Sequence, residues 1–196
     1  MLPQFIVSLL MAYVYIIIKS KKSYHMLQQN WYNDGNRYIN WILDNKKKVF
    51  ITPELLFVLF LLFFVLPIKV SMSIFIIFYM IMSLIYIKAK KTEQVKKPLV
   101  FTSRVKRLCV TTMVLYLIPI ILFIIFFNMD YIYLYYLLFG LMIYLNYFVV
   151  YIANIVNMPI EASIRLKFKR MAIKKLNNMN HMKVIGITGS YGKTSS

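Results

Sequence analysis

The chain has 196 residues, of which 61% are hydrophobic and 17% aromatic; its mean hydropathy is +0.67 and its net charge +18. This composition excludes an ordinary soluble domain and predicts a protein that is mostly embedded in a membrane. Cys109 is the single cysteine, which excludes an intramolecular disulfide, and His25 and His181 are too far apart in sequence to indicate a metal site.

Five apolar runs predict membrane-spanning helices. The first, residues 2–18, is just long enough to cross the hydrocarbon core, and Lys19, Lys21 and Lys22 are expected to end it. A cleaved signal peptide is the alternative, but no basic segment precedes this run and no small-residue cleavage site follows it. The other four spans are expected at residues 49–68, 70–87, 108–127, where Pro119 predicts a kink, and 131–156.

A polar segment, residues 23–48, separates the first two spans. Its aromatic and aliphatic residues recur roughly with the spacing of one helix face, and Lys46, Lys47 and Lys48 close it. We expect it to lie in the headgroup zone, with its rings at the boundary and these lysines toward anionic lipid. A solvated loop is the alternative.

The triplet Thr52-Pro53-Glu54 is typical of a helix start. Threonine is a good cap, proline suits the first turn, and an acid is favourable near the positive end of a helix. Glu54 is therefore predicted to have a structural role.

The fifth span carries amide and tyrosine side chains. Amides inside a membrane usually hydrogen-bond between helices, so we expect packing rather than lipid or substrate contact from Asn146, Asn154 and Asn157. The tyrosines of this span are expected to pack or to anchor it near the interface; they include Tyr144, Tyr147 and Tyr151.

The distribution of cations predicts the topology. Seven Lys and Arg residues lie between Lys19 and Lys48, eight between Lys88 and Arg107, and eight after Val156. Because cytoplasmic loops are rich in Lys and Arg, the first, third and fifth spans are expected to end in the cytoplasm, with the N-terminus outside. This arrangement accounts for the net charge of +18 without nucleic acid as a partner.

A basic segment, residues 157–182, follows the fifth span. Pro159-Ile160-Glu161 is expected to begin a helix that runs to about Leu176, with apolar residues among its cations. It is predicted to lie along the cytoplasmic leaflet or, alternatively, to be a solvated linker.

The last segment, residues 183–196, has the order of a phosphate-binding loop. A β-branched run predicts a buried parallel strand, and the glycine turn from Gly189 to Gly192 precedes a helix start. Glycines allow backbone N–H groups to close around an anion, and the helix N-terminus adds positive charge. Lys193 is placed to reach the phosphates, and Thr194 to join a Mg²⁺ shell.

The order T-G-S-Y-G-K-T-S over residues 188–195 resembles the ATP-binding loop of the Mur ligases, in which a shortened T-G-x-x-G-K-[TS] follows a strand. Within that family it looks most like the ligases that add D-alanyl-D-alanine to UDP-N-acetylmuramoyl-tripeptide in peptidoglycan synthesis. The resemblance implies an ATP- and Mg²⁺-dependent ligase, and the spans and cations predict that it lies at the cell membrane with the loop in the cytoplasm. Its implied ATP-binding residues are Gly189, Ser190, Tyr191, Gly192, Lys193, Thr194 and Ser195, with Lys193 catalytic and Thr194 the Mg²⁺ ligand.

The predicted fold is an α-helical membrane domain over 1–156, the linker over 157–182, and the first strand, phosphate loop and helix start of an incomplete α/β nucleotide-binding domain over 183–196. The chain is accordingly expected to be the N-terminal part of a longer ligase and inactive by itself. The spans replace the soluble uridine-binding domain that is usual in this family. The alternatives are another amide ligase of the superfamily, such as a poly-γ-glutamate synthase or the ligase partner of an amidotransferase, and a non-catalytic membrane protein.

Overall fold

The computed structural model describes residues 2–30, 35–63, 67–92, 98–125 and 132–179. All of the regular secondary structure in these ranges is helical. The helices are α1 (Leu2–Gln29), α2 (Gly35–Asp44), α3 (Lys46–Phe50), α4 (Pro53–Phe63), α5 (Ile68–Thr92), α6 (Ser103–Ile125), α7 (Ile132–Tyr144) and α8 (Asn146–Asn177).

Four of the described helices are long and apolar enough to cross a membrane, which supports the prediction of a helical membrane protein. They contain the stretches Pro3–Gln29, Lys69–Lys88, Ser103–Leu122 and Asn146–Asn177. Pro119 lies inside α6, as expected. The strand and phosphate loop predicted at 183–196 lie outside the described residues.

The helix of the first predicted span does not end at Lys19, whereas the end of the span itself stays a prediction. Helix α1 continues through the lysines to Gln29. Lys21 and Lys22 are exposed, as lysines at a membrane boundary should be, but Lys19 is buried. Its burial is possible because it finds a carboxylate and a carbonyl inside the bundle.

The second predicted span is interrupted by a bend near its start. A bend at Ile51 and Thr52 separates α3 from α4, which begins at Pro53 as the sequence predicts. The Thr52 carbonyl accepts the N–H of Leu55 at 3.0 Å, whereas the Thr52 hydroxyl forms no hydrogen bond, so the predicted side-chain cap is absent. Helix α4 follows with the 11 described residues Pro53–Phe63, and residues 64–66 of the predicted span lie outside the described part of the structure.

The helices of the fifth span and the linker begin and end at other residues than those predicted. Leu145 forms a turn between α7 and α8, and α8 then runs without interruption past Pro159. The helix predicted to begin at Pro159 is therefore wrong in its start. A proline inside a helix removes one backbone hydrogen bond and bends the helix, but helices in membrane proteins tolerate this when neighbouring groups compensate.

The chain divides into two compact units, Met1–Asn157 and Met158–Ser196. In the described part of the second unit, the basic side chains predicted for the linker are exposed, and so are Phe168, Met171 and Ile173. The predicted contact of this segment with the cytoplasmic leaflet stays a prediction.

The core of the first unit is aromatic. Helix α1 packs on α5, and α4 packs on α7. The Tyr15 and Tyr79 ring centroids are 5.3 Å apart, and the Phe57 and Phe78 rings are stacked at 3.9 Å. Buried rings of this size contribute much of the packing energy, and pairs in these geometries add about 0.5–1.5 kcal/mol beyond their buried area.

Gly140 of α7 lies where the helices approach closely. A Cβ built on it would be 3.6 Å from the Tyr79 hydroxyl oxygen, 3.8 Å from Val58 and 3.9 Å from Leu61. These are ordinary contact distances, so one methyl group fits and a longer side chain does not.

We expect Gly140→Ala to leave the thermal unfolding temperature unchanged or raise it, because alanine has the better helix propensity. Gly140→Leu should lower the free energy of unfolding by about 1–3 kcal/mol through overpacking. Thermal unfolding of both variants in nanodiscs, followed by circular dichroism, checks this. Equal stability of the two variants would contradict the close packing at Gly140.

Candidate functional site

The turn at Leu145 leaves backbone carbonyls inside the bundle. The last four carbonyls of a helix have no donor within that helix. In α7 these are the carbonyls of residues 141–144. The first of them, from Leu141, accepts the Leu145 N–H at 2.9 Å. Because an unsatisfied carbonyl in apolar surroundings costs several kcal/mol, a helix break at this depth needs donors from other elements.

Two buried side chains supply such donors. Lys19 Nζ donates to the Ile143 carbonyl at 2.9 Å, and the Tyr116 hydroxyl donates to the Met142 carbonyl at 3.2 Å. Lys19 comes from α1 and Tyr116 from α6. The end of α7 is thus held by two helices that are distant in sequence.

The charge of Lys19 is balanced by Glu54 in the first turn of α4. Lys19 Nζ is 2.8 Å from Glu54 Oε1, and the two side chains are 4% and 0% exposed. The Tyr15 hydroxyl donates to the same carboxylate oxygen. The predicted position of Glu54 at a helix start is confirmed, but its partner is a lysine of α1. Ionisable groups within membrane helices are rare and are paired where they occur.

Tyrosine rings enclose this ion pair. The Tyr15 ring lies 5.3 Å from that of Tyr79 and 5.6 Å from that of Tyr86, and Lys19 Nζ is 5.9 Å from the Tyr15 centroid. The second carboxylate oxygen of Glu54 and the Tyr79 hydroxyl are buried and form no hydrogen bond. The pair is therefore closed to solvent on the α5 side. Glu54 Oε1 accepts hydrogen bonds from both Tyr15 and Lys19.

Asn146, the first residue of α8, is the centre of a second polar group. The Ser23 hydroxyl donates to Asn146 Oδ1 at 2.9 Å. Asn146 Nδ2 donates to Ser20 Oγ at 2.9 Å and to the Tyr116 hydroxyl at 3.2 Å. The predicted hydrogen bonding of this amide between helices is confirmed, and it joins α8 to α1 and α6.

The other polar residues of the fifth span also pack against neighbouring helices. Asn154 and Asn157 are buried, and Asn157 Oδ1 accepts the Thr111 hydroxyl at 2.9 Å. The three tyrosines pack, as predicted: the Tyr144 hydroxyl donates to the Phe50 carbonyl at 3.1 Å, Tyr151 stacks on Tyr38, and Tyr147 lies against Trp41.

The run of lysines from Lys19 to Lys22 predicts a membrane boundary, where lysines are common, but the structure buries Lys19. A signal for burial was nevertheless present, because Tyr15, Lys19 and Ser23 recur every four residues and so share one helix face. Continuing the helical period past the first lysine predicts that Lys19 faces inward and that Lys21 faces outward, whereas Lys22, seven residues after Tyr15, is not separated from the inward face by this period.

The residues of the predicted ATP site lie outside the described part of the structure. They are Gly189, Ser190, Tyr191, Gly192, Lys193, Thr194 and Ser195. Their roles stay predictions. Within the described ranges, no group of three His, Cys, Asp or Glu side chains is arranged to hold a metal ion.

No protein-family model, curated protein or solved structure matches this chain. The described site is a joint between helices, built from an ion pair and an amide cluster. Its charged groups bind one another and the backbone, which favours a role in fixing the bundle.

We expect Lys19→Met and Glu54→Gln each to lower the free energy of unfolding by about 3–5 kcal/mol, because each leaves an uncompensated charge in the bundle. The double variant should recover much of this loss, since no charge is then stranded. Part should remain, because the Ile143 carbonyl has lost its donor. The measurement is the free energy of unfolding of the parent protein, the two single variants and the double variant in the same lipid, analysed as a double-mutant cycle.

A matched control for this cycle is Lys21→Met, which removes an exposed lysine from the same helix. Its effect should lie within about 0.5 kcal/mol of zero. Additive losses in the double variant would show that Lys19 and Glu54 do not interact.

We expect Asn146→Leu to lower the free energy of unfolding by about 2 kcal/mol, since three hydrogen bonds are lost and such bonds in membranes average roughly 0.6 kcal/mol each. Ile152→Leu, at an exposed apolar position of the same helix, is the control. Unfolding in the same nanodiscs measures both. Equal losses of unfolding free energy in Asn146→Leu and Ile152→Leu would contradict the central role of Asn146.

Proposed function

We propose that this chain is the membrane anchor and the start of the ATP-binding domain of a cell-wall amide ligase. The reaction adds D-alanyl-D-alanine to UDP-N-acetylmuramoyl-tripeptide. The observation that carries this function is the sequence T-G-S-Y-G-K-T-S at residues 188–195, which resembles the ATP loop of the Mur ligases.

The chemistry of the loop follows from its residue types. In this proposal the backbone N–H groups of Gly189–Gly192 would bind the phosphates of ATP, and Lys193 would neutralise the charge that develops during phosphoryl transfer. The substrate carboxylate becomes an acyl phosphate, and the amine of D-alanyl-D-alanine displaces phosphate to form the amide. Thr194 would hold Mg²⁺ in the loop, and the bound ion would supply neutralisation of phosphate charge.

The membrane part of this function is supported by the described helices. Four of them are long and apolar enough to cross a bilayer. Cations concentrated between Lys19 and Lys48, between Lys88 and Arg107 and after Val156 favour a cytoplasmic location for the loop, where ATP is available.

A second candidate is another amide ligase of the same superfamily, such as a poly-γ-glutamate synthase. The feature that favours it is the helical bundle before the loop, in the place where ligases of muramoyl peptides usually carry a soluble uridine-binding domain. Such an enzyme would bind ATP with the same residues and join a different acid and amine.

The test is to express in membranes the open reading frame that contains these residues and to follow ATP-dependent formation of UDP-N-acetylmuramoyl-pentapeptide. We expect Lys193→Ala to lower kcat by about 100-fold or more, as the loss of one charge-stabilising group does. Lys183→Ala, which removes a lysine before the predicted strand, is the matched control and should retain activity.

The alternatives give different results in this assay. ATP hydrolysis that depends on Lys193 but ignores the muramoyl substrate would favour the second candidate. Absence of ATP binding by the wild-type protein would exclude both ligases and leave a non-catalytic membrane protein.

A further inference from the structure

Residues 35–51, here called the interfacial arm, are fixed to the bundle by one side of α2. Tyr38 is fully buried, its hydroxyl donates to the Tyr147 carbonyl at 3.3 Å, and its ring stacks on Tyr151 at 6.0 Å. Burial, with a smaller contribution from Tyr147, raises the pKa of Tyr38 well above its usual value. The hydroxyl therefore stays protonated and keeps its hydrogen bond.

The C-terminal part of the arm is fixed as well. Val49 is buried, the Phe50 carbonyl accepts the Tyr144 hydroxyl at 3.1 Å, and the rings of Phe50 and Phe148 are 6.1 Å apart. Helix α3 is thus attached at its last two residues. The position of its first turn relative to the bundle follows from this attachment.

That first turn consists of three exposed lysines, Lys46, Lys47 and Lys48. Successive residues of a helix are about 100° apart, so the three ammonium groups spread over roughly 200° of the helix surface. Arg37 adds a fourth cation in the arm and Asp44 is its one acid, so the net charge is 4 − 1 = +3. Placing three cations side by side is unfavourable unless anions lie nearby.

Apolar residues set the depth of these lysines. Ile51 is 72% exposed and Leu56 is 70% exposed, and both follow the lysines within a few residues. Exposed aliphatic side chains on a membrane bundle belong in hydrocarbon. The lysines therefore lie just outside the hydrocarbon, at the level where lipid phosphates are found.

We propose that Lys46, Lys47 and Lys48 bind the headgroup phosphates of anionic phospholipids. The rigid attachment of α3, the spread of the ammonium groups and their depth beside Ile51 favour lipid over nucleic acid, because a polynucleotide would have to lie within the headgroup layer. Each lysine near an anionic surface contributes about 1 kcal/mol, which is about a fivefold preference. Salt weakens this attraction.

Trp41 of the arm provides the measurement. The chain has two tryptophans, so Trp31→Phe leaves Trp41 as the single indole fluorophore. The purified chain is placed in nanodiscs that contain brominated phosphatidylglycerol or brominated phosphatidylcholine at equal mole fraction, and bromine quenching of Trp41 is compared. We expect the anionic lipid to be preferred at least about fivefold, and 1 M salt to bring the ratio toward one.

The test variant is Lys46→Gln/Lys47→Gln/Lys48→Gln, which should lose the preference. Lys167→Gln/Lys169→Gln/Lys174→Gln removes the same charge elsewhere and should retain it. Equal quenching by the two lipids in the parent protein, or a preference that persists in the test variant, would overturn the assignment. So would relief of the quenching by an added oligonucleotide at equal phosphate concentration, because the lysines would then select phosphate polymers rather than lipid.

Discussion

The helix break at Leu145 is the constraint on which the described bundle depends. A break inside an apolar bundle leaves carbonyls that water cannot reach, so the neighbouring helices must provide donors. Lys19 and Tyr116 provide them. Using an ammonium group as the donor brings a buried charge, and that charge requires Glu54. One turn of backbone thereby fixes the relative positions of α1, α4, α6 and α7.

The ion pair is better understood as a determinant of specificity than as a source of stability. Replacing a buried pair by well-packed apolar residues is often neutral or stabilising, whereas stranding one charge is costly. Lipid tails and leucine side chains are similarly apolar, so apolar contacts alone discriminate poorly among helix arrangements in a membrane. The Lys19–Glu54 pair and the Asn146 cluster have few alternative partners, which favours a single register of α1 against the other helices.

The first unit, here called the membrane unit, and the phosphate loop have different roles in the proposed ligase. In the proposal the loop binds ATP, whereas the described charged pair makes its contacts within the bundle. A function confined to anchoring would require only apolar helices. The interfacial arm adds exposed cations on a rigid support, which gives the membrane unit a means of selecting its lipid surroundings as well as spanning them.

The sequence by itself determined the helical membrane class, because long apolar runs have few other stable structures, and it determined the start of α4 at Pro53 and the packing role of Asn146. These features depend on local composition, spacing and capping. Only the tertiary structure decided that Lys19 pairs with Glu54 and that the fifth span breaks at Leu145. A lysine usually ends a span unless a carboxylate pairs with it inside the bundle. The carboxylate that pairs with Lys19 belongs to Glu54, which lies 35 positions away in sequence. The break is stable only because donors from α1 and α6 reach it, and no local pattern around Leu145 contains that information.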